Sequence, residues 1–190
     1  MEELLDTLLA ECRPYTQQGK VATYIPELAK GDPSKLGIYV LNSDGRHYQA
    51  GDWQKHFTIQ SVVKPILLLL ALLDNGEEVV RSKVGVEATG KPFDAINVTD
   101  SPLLSEHLNP MVNMGAIAIC TLIKGGDYTE RFQRLLEFTR LLADNPEIEM
   151  DEEVYRSEKR TGSKNRALAF LLKSYGMLDD GVEEVLDCYF

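Results

Sequence analysis

The chain has 190 residues, 44% of them apolar, enough for a real hydrophobic core in one domain or in part of a larger one. A net charge of −10 and a pI near 4.8 argue against nucleic acid as a partner, because a phosphate backbone is met by a clustered basic face. The acidic opening MEELLDTLL lacks the basic start of a secretory signal, and the apolar run at 65–73 is nine residues long where a spanning helix needs about 20, so no membrane association is expected.

In chain order, leucines at positions 4, 5, 8 and 9 with acids between them predict a helix over 1–12. Pro26 limits any long helix in 16–28, and Asp-Pro-Ser at 32–34 marks a turn. The period then changes. Two β-rich runs, 36–41 (LGIYVL) and 46–50 (RHYQA), flank Asn-Ser-Asp-Gly and predict an antiparallel hairpin closed by Gly51-Asp52-Trp53.

Helical signals dominate from Ser61 onward. A helix over 61–75 ends at Gly76, which suits a C-terminal cap. A short helix over 77–84 follows. Residues 85–105, with Gly90, Pro92, Asn97 and Pro102, show no period and predict a long ordered loop of the kind that often serves function. Asn109 as N-cap and Pro110 at the first helical position predict a helix over 109–123. Further helices are predicted over 127–145, 151–157, 165–175 and 180–190, and the alternating charges between Asp144 and Arg166 read as a solvated face. Two strands against so many helices leave the hairpin short of sheet partners, so the expectation is a single, incomplete domain over 1–190, divided into a helix-and-hairpin part (1–60) and a mainly helical part (61–190).

Cys12, Cys120 and Cys188 are odd in number and far apart, with neither a disulfide framework nor zinc spacing. His47, His56 and His107 form no HExxH or facial-triad pattern. The expected setting is reducing and cytoplasmic.

The stretch FTIQSVVKPILLLLALLDNG places Ser61 and Lys64 three positions apart, within touching range on neighbouring helical turns. At the start of a helix, Ser61 meets unpaired N–H groups and the positive dipole end. An apolar wall beside Lys64 disfavours its ammonium form and makes it a base. Such a pair is an acyl-transfer nucleophile with its activator. The structural alternative is an N-capping serine and a snorkelling lysine. Penicillin-binding proteins and β-lactamases carry S-D-N and K-T-G companions as well, and neither occurs here. Asn113 stands in an otherwise apolar helix, where its amide either grips a ligand or bonds the preceding loop. Glu158 and Asn165 flank a turn at Gly162. They suit a substrate ammonium and carboxylate, or else a solvated turn with Asn165 as N-cap. Tyr189 reads locally as core or cap.

Taken in order, GKVATYIPELAKGDPSKLGIYV, FTIQSVVKP, VGVEATGKPFDA, NPMVNMGAI, VYRSEKRTGSKNRALAFLLKSYGM and LDCYF resemble the serine-dependent glutaminases over nearly the whole chain. The resemblance implies an α/β (α+β) fold of the β-lactamase/transpeptidase type, here a helical subdomain with an N-terminal hairpin and without the C-terminal sheet strands. It implies hydrolysis of L-glutamine to L-glutamate and ammonia, no metal or organic cofactor, and a homo-oligomer. By position, Ser61 resembles the nucleophile and Lys64 its base. Asn113, Glu158, Asn165 and Tyr189 match positions that hold the α-amino and α-carboxyl groups or line the reacting centre, and Gln60 borders them. Val62, Val63 and Pro65 depart mildly from the usual neighbours of the lysine. Family members run on for roughly a hundred residues, which would supply further strands, a second tyrosine and an oxyanion-hole donor worth ~3–4 kcal/mol. The competing expectation is a catalytically impaired fragment that binds or associates.

Overall fold

The computed structural model describes residues 1–96, 108–179 and 181–190. The end of the predicted loop, with Asn97 and Pro102, lies outside the described residues, as do His107 and Asp180. The chain forms two compact units, Met1–Thr58 and Ile59–Phe190.

The first unit packs one helix on one hairpin. Helix α1 (Glu2–Cys12) buries Leu5. Strands β1 (Gly37–Leu41) and β2 (His47–Gly51) pair antiparallel, with Ile38 opposite Ala50 and Val40 opposite Tyr48. Because side chains alternate across a strand, these four turn to one face, while Tyr39 and Leu41 stay exposed. On the outer face the Tyr39 ring stacks on His47 with centroids 5.9 Å apart and leans on Trp53 at 5.6 Å. Pro26–Lys30 makes only a short 3-10 turn, as Pro26 predicts. The Asp32 carboxylate closes its turn by accepting from the Ser34 N–H at 2.9 Å.

The second unit is helical: α2 (Val63–Asn75), α3 (Glu77–Lys83), α4 (Asn113–Cys120), α5 (Tyr128–Ala143), α6 (Glu152–Thr161), α7 (Ser163–Ser174) and α8 (Val182–Tyr189). Its centre is α4. The segment NMGAIAIC carries no charge, and all eight residues are buried. A helix that is apolar on every side must be surrounded, and α2, α3, α7 and α8 all pack against it. Leu67, Leu70, Leu168, Leu172, Val185 and Leu186 close the core around Ile117 and Ile119. Each such side chain contributes about 1.5–3 kcal/mol of burial.

The elements start and stop for identifiable reasons. Helix α2 stops at Gly76, whose φ of 82° is a backbone state that a β-carbon disfavours and which also opens α3. Asp127 caps α5 by accepting from the Glu130 N–H, and Asp151 caps α6 by accepting from the Val154 N–H at 3.0 Å.

Three sequence expectations need correction. Helix α4 begins at Asn113 with Val112 as its N-cap, not at Asn109. Asn109 instead closes a tight turn, its side-chain oxygen accepting from the Met111 N–H at 2.8 Å and its carbonyl from the Val112 N–H at 3.1 Å. The charged helix expected at 151–157 continues to Thr161, since Arg156, Lys159 and Arg160 extend it without a breaker before Gly162. Asn165 is the third residue of α7, so it is not that helix's N-cap; Gly162 is.

Candidate active site

Gln60, Ser61 and Val62 form a 3-10 turn leading into α2. Gln60 has φ of 45°, the left-handed region that costs a residue with a side chain on the order of 1–2 kcal/mol. Strain of this kind is kept where a neighbour's pose matters, and the neighbour is Ser61. No sequence signal marked Gln60 as strained. Ser61 is exposed on this turn, so the helix proper starts two residues beyond it, later than the sequence spacing predicts.

Lys64 lies in the first turn of α2 and points inward, only 4% exposed. Its Nζ donates to Asn113 Oδ1 at 2.7 Å and lies 5.7 Å from the centroid of the Phe93 ring. Burial alone pulls the amine's pKa below its ordinary value, and among the described residues no carboxylate pairs with it. A lysine so placed sheds its proton more readily than one on the surface.

Asn113 is the hub. Its N–H donates to the Phe93 carbonyl at 2.9 Å. Its Oδ1 accepts from Lys64, so its Nδ2 is free to donate to Asn165 Oδ1 at 3.0 Å. Helices α2, α4 and α7 are thereby joined through one chain, Lys64–Asn113–Asn165. Asn109, at the base of the same loop, donates through Nδ2 to the Glu87 carbonyl at 3.0 Å.

Glu158, on α6, is half-buried, and burial raises its pKa to about 7. Among the described residues it has no ionic partner. Its neighbour Ser157 is 1% exposed. Tyr189 is half-buried at the last position of α8, its ring edge-on to Phe190 with centroids 6.2 Å apart. The structure thus joins Lys64, Asn113 and Asn165 directly. It leaves Ser61 on the turn before α2, Glu158 half-buried on α6 with a raised pKa, and Tyr189 at the end of α8.

Two nearby features escaped the sequence reading. Phe93 borders Lys64, and Asp94 beside it pairs with Lys164 on α7. The sequence pointed to them only as part of the irregular loop and of the stretch VGVEATGKPFDA, not as individual residues. Among the described residues no group of three or more His, Cys, Asp or Glu stands together as a metal site, and Cys12, Cys120 and Cys188 are free thiols. No helix of the described residues is long and apolar enough to cross a membrane.

Comparison with known proteins is consistent along the whole chain. A family model described as Glutaminase matches residues 19–190. A glutaminase of Clostridium tetani is 48% identical over 190 residues, covering all of this chain and 62% of the relative. A structure of Mglu in its tris and glutamate form superposes with a TM-score of 0.90 at 36% identity, covering 100% of this chain and 42% of that one. A Bacillus subtilis glutaminase, solved as the covalent complex with 5-oxo-L-norleucine formed by reaction with 6-diazo-5-oxo-L-norleucine, superposes with a TM-score of 0.83 at 34% identity, covering 99% and 58%. The chain therefore spans about three fifths of the length of the curated relatives it matches, 62% in each of the first.

Proposed function

The chain belongs to the glutaminase family, with its β-lactamase-like α+β fold, and from that premise we propose that it hydrolyses L-glutamine to L-glutamate and ammonia through Ser61 and Lys64. One observation carries the reading. The Lys64 amine is buried without a carboxylate partner and held by a neutral amide, three positions after an exposed serine on a strained turn.

In this mechanism neutral Lys64 takes the Ser61 proton, and the Ser61 oxygen attacks the side-chain amide carbonyl of glutamine. The carbon–nitrogen bond breaks, Lys64 returns the proton to the departing nitrogen, and ammonia leaves. The remaining glutamyl ester is attacked by water, with Lys64 again taking the proton; the bond between the Ser61 oxygen and the acyl carbon breaks, Lys64 hands that proton to Ser61, and glutamate is released. The covalent adduct of the Bacillus subtilis relative supports a nucleophile of this kind.

At the far end of the substrate, Glu158 receives the α-ammonium. A half-buried carboxylate without a cation gains most from an incoming one. Asn113 and Asn165 orient the α-carboxylate, and Gln60 and Tyr189 border the reacting centre. Fixing the unreactive end selects glutamine over its shorter homologue, because a shifted amide loses the attack geometry. Three free thiols fit a reducing cytoplasm, and a homo-oligomer is the expected assembly.

The test is ammonia release from glutamine by the 190-residue chain and by Ser61→Ala. Turnover by the parent and none by the variant is the expected result. Release that persists in Ser61→Ala would overturn the nucleophile assignment, and glutamine binding without turnover by the parent would make the chain a binding module.

A further inference from the structure

The Lys64–Asn113–Asn165 chain is closed on its open side by residues outside the proposed chemistry. Phe93 touches it twice, through its carbonyl, which accepts from the Asn113 N–H at 2.9 Å, and through its ring, 5.7 Å from Lys64 Nζ. Its backbone is continuous with Asp94, whose carboxylate accepts a hydrogen bond from Lys164 Nζ. Lys164 immediately precedes Asn165, the last member of the chain. The contacts form a ring: Lys64 to Asn113 to Asn165, along the backbone to Lys164, across to Asp94, and along the backbone to Phe93 beside Lys64. Sequence separations of 49, 52 and 70 residues meet here, so the ring ties α2, α4 and α7 to one loop.

Among the described residues Phe93 is held at its backbone by the Asn113 N–H and through its neighbour Asp94 by Lys164. The residue is 61% exposed, so packing alone does not fix the ring. The Asp94–Lys164 pair is itself partly exposed, at 35% and 52%, and such pairs add little to global stability. Their effect is local. We propose that Asp94 and Lys164 are positioning residues, a clamp that seats Phe93 beside the Lys64–Asn113 hydrogen bond and so sets the pose and hydration of the lysine amine.

Among the described residues the charged groups near Lys64 are few. Helix α4 offers only neutral Asn113 and carries no charge at all. The loop brings Asp94, α7 brings Lys164, and α6 carries Glu158. The Asp74–Arg134 pair between α2 and α5 sits ten residues along α2, about 15 Å away at 1.5 Å per residue. The Glu77–Arg81 pair of α3 lies beyond that end of α2.

Lys64 is read directly by titrating the lysine Cε resonances of the 13C-labelled 190-residue chain, with Lys64 assigned by its loss in Lys64→Met. If Asp94 and Lys164 act only through their charges, Asp94→Asn lowers the Lys64 midpoint and Lys164→Met raises it. The clamp predicts that both raise it, by about half a pH unit or more, because either variant frees Phe93 and lets water reach the amine. Opposite shifts, or no shift in either variant, overturn the proposal. The paired exchange Asp94→Lys with Lys164→Asp keeps the clamp with its charges reversed, and it returns the midpoint toward the parent value. An exchange that stays shifted with the single variants also overturns it. The inference rests on Lys64 as the base, yet the two readings fail separately: ammonia release that survives Ser61→Ala removes the nucleophile and its base without altering the Lys64 titration.

Discussion

Burial disfavours the charged form of both Lys64 and Glu158, and both groups therefore work against the fold. Burial lowers the Lys64 pKa from 10.5, so the folded protein binds that proton less tightly than the unfolded chain does. The penalty is in full force below the folded value and vanishes above 10.5, so this group makes stability rise with pH across that window. Glu158 has the opposite sense. Its folded pKa, raised from 4.5 to about 7, means that the folded state holds the proton longer, so stability falls as pH rises from 4.5 to 7 and is flat above. Glu158→Gln should abolish that fall in urea-melt midpoints, and Lys64→Met should abolish the alkaline rise. Glutamine affinity, measured by calorimetry, should weaken below pH 7 as Glu158 takes up a proton and lose that dependence in Glu158→Gln. Asn113→Leu removes the acceptor of the buried Lys64 amine and should cost about 1–3 kcal/mol in the same melts.

Among the elements, α4 shows how backbone contact sets the position of a functional side chain. A β-carbon on Gly115 would stand 2.1 Å from the Asn109 oxygen and 2.7 Å from its carbonyl carbon. Backbone cannot swing aside as a side chain does, so Gly115→Ala should lower the unfolding free energy by about 1–3 kcal/mol and displace Asn113, two residues away. The expected signature is a lowered melt together with a Lys64 titration moved toward its ordinary value. The same contact explains why the helix start was misjudged from sequence. Asn-Pro suits a helix entry and a tight turn equally well, and only the approach of Gly115 to Asn109 decides for the turn. By contrast, the end of α2 at Gly76 and the antiparallel hairpin around Asn42–Gly45 were legible, because local backbone preference and hydrophobic period agree there. The site was legible as residues but not as a circuit. Lys64 and Asn113 stand 49 positions apart and Asn113 and Asn165 stand 52 apart, distances that no local period reports. The left-handed turn at Gln60 left no trace in the residue type either, since glutamine is not what such a turn prefers.

For the molecule as a whole, the consequence of an uncharged, wholly enclosed α4 is a gradient of opening. Amide hydrogens exchange with solvent only when their segment opens, and a helix walled in on every side opens only when the unit does. The amides of Ala116, Ile117 and Ala118 should therefore be among the slowest to exchange, at rates that report global unfolding. The amides of Gln60 and Ser61, on an exposed 3-10 turn, should exchange through local fluctuation many times faster. The proposed Ser61–Lys64 pair spans that divide, with Lys64 buried and bonded to Asn113 of α4 and Ser61 on the exposed turn. One end of the proposed chemistry is rooted in the part of the protein that yields last, and the other rides on a segment free to breathe at every turnover.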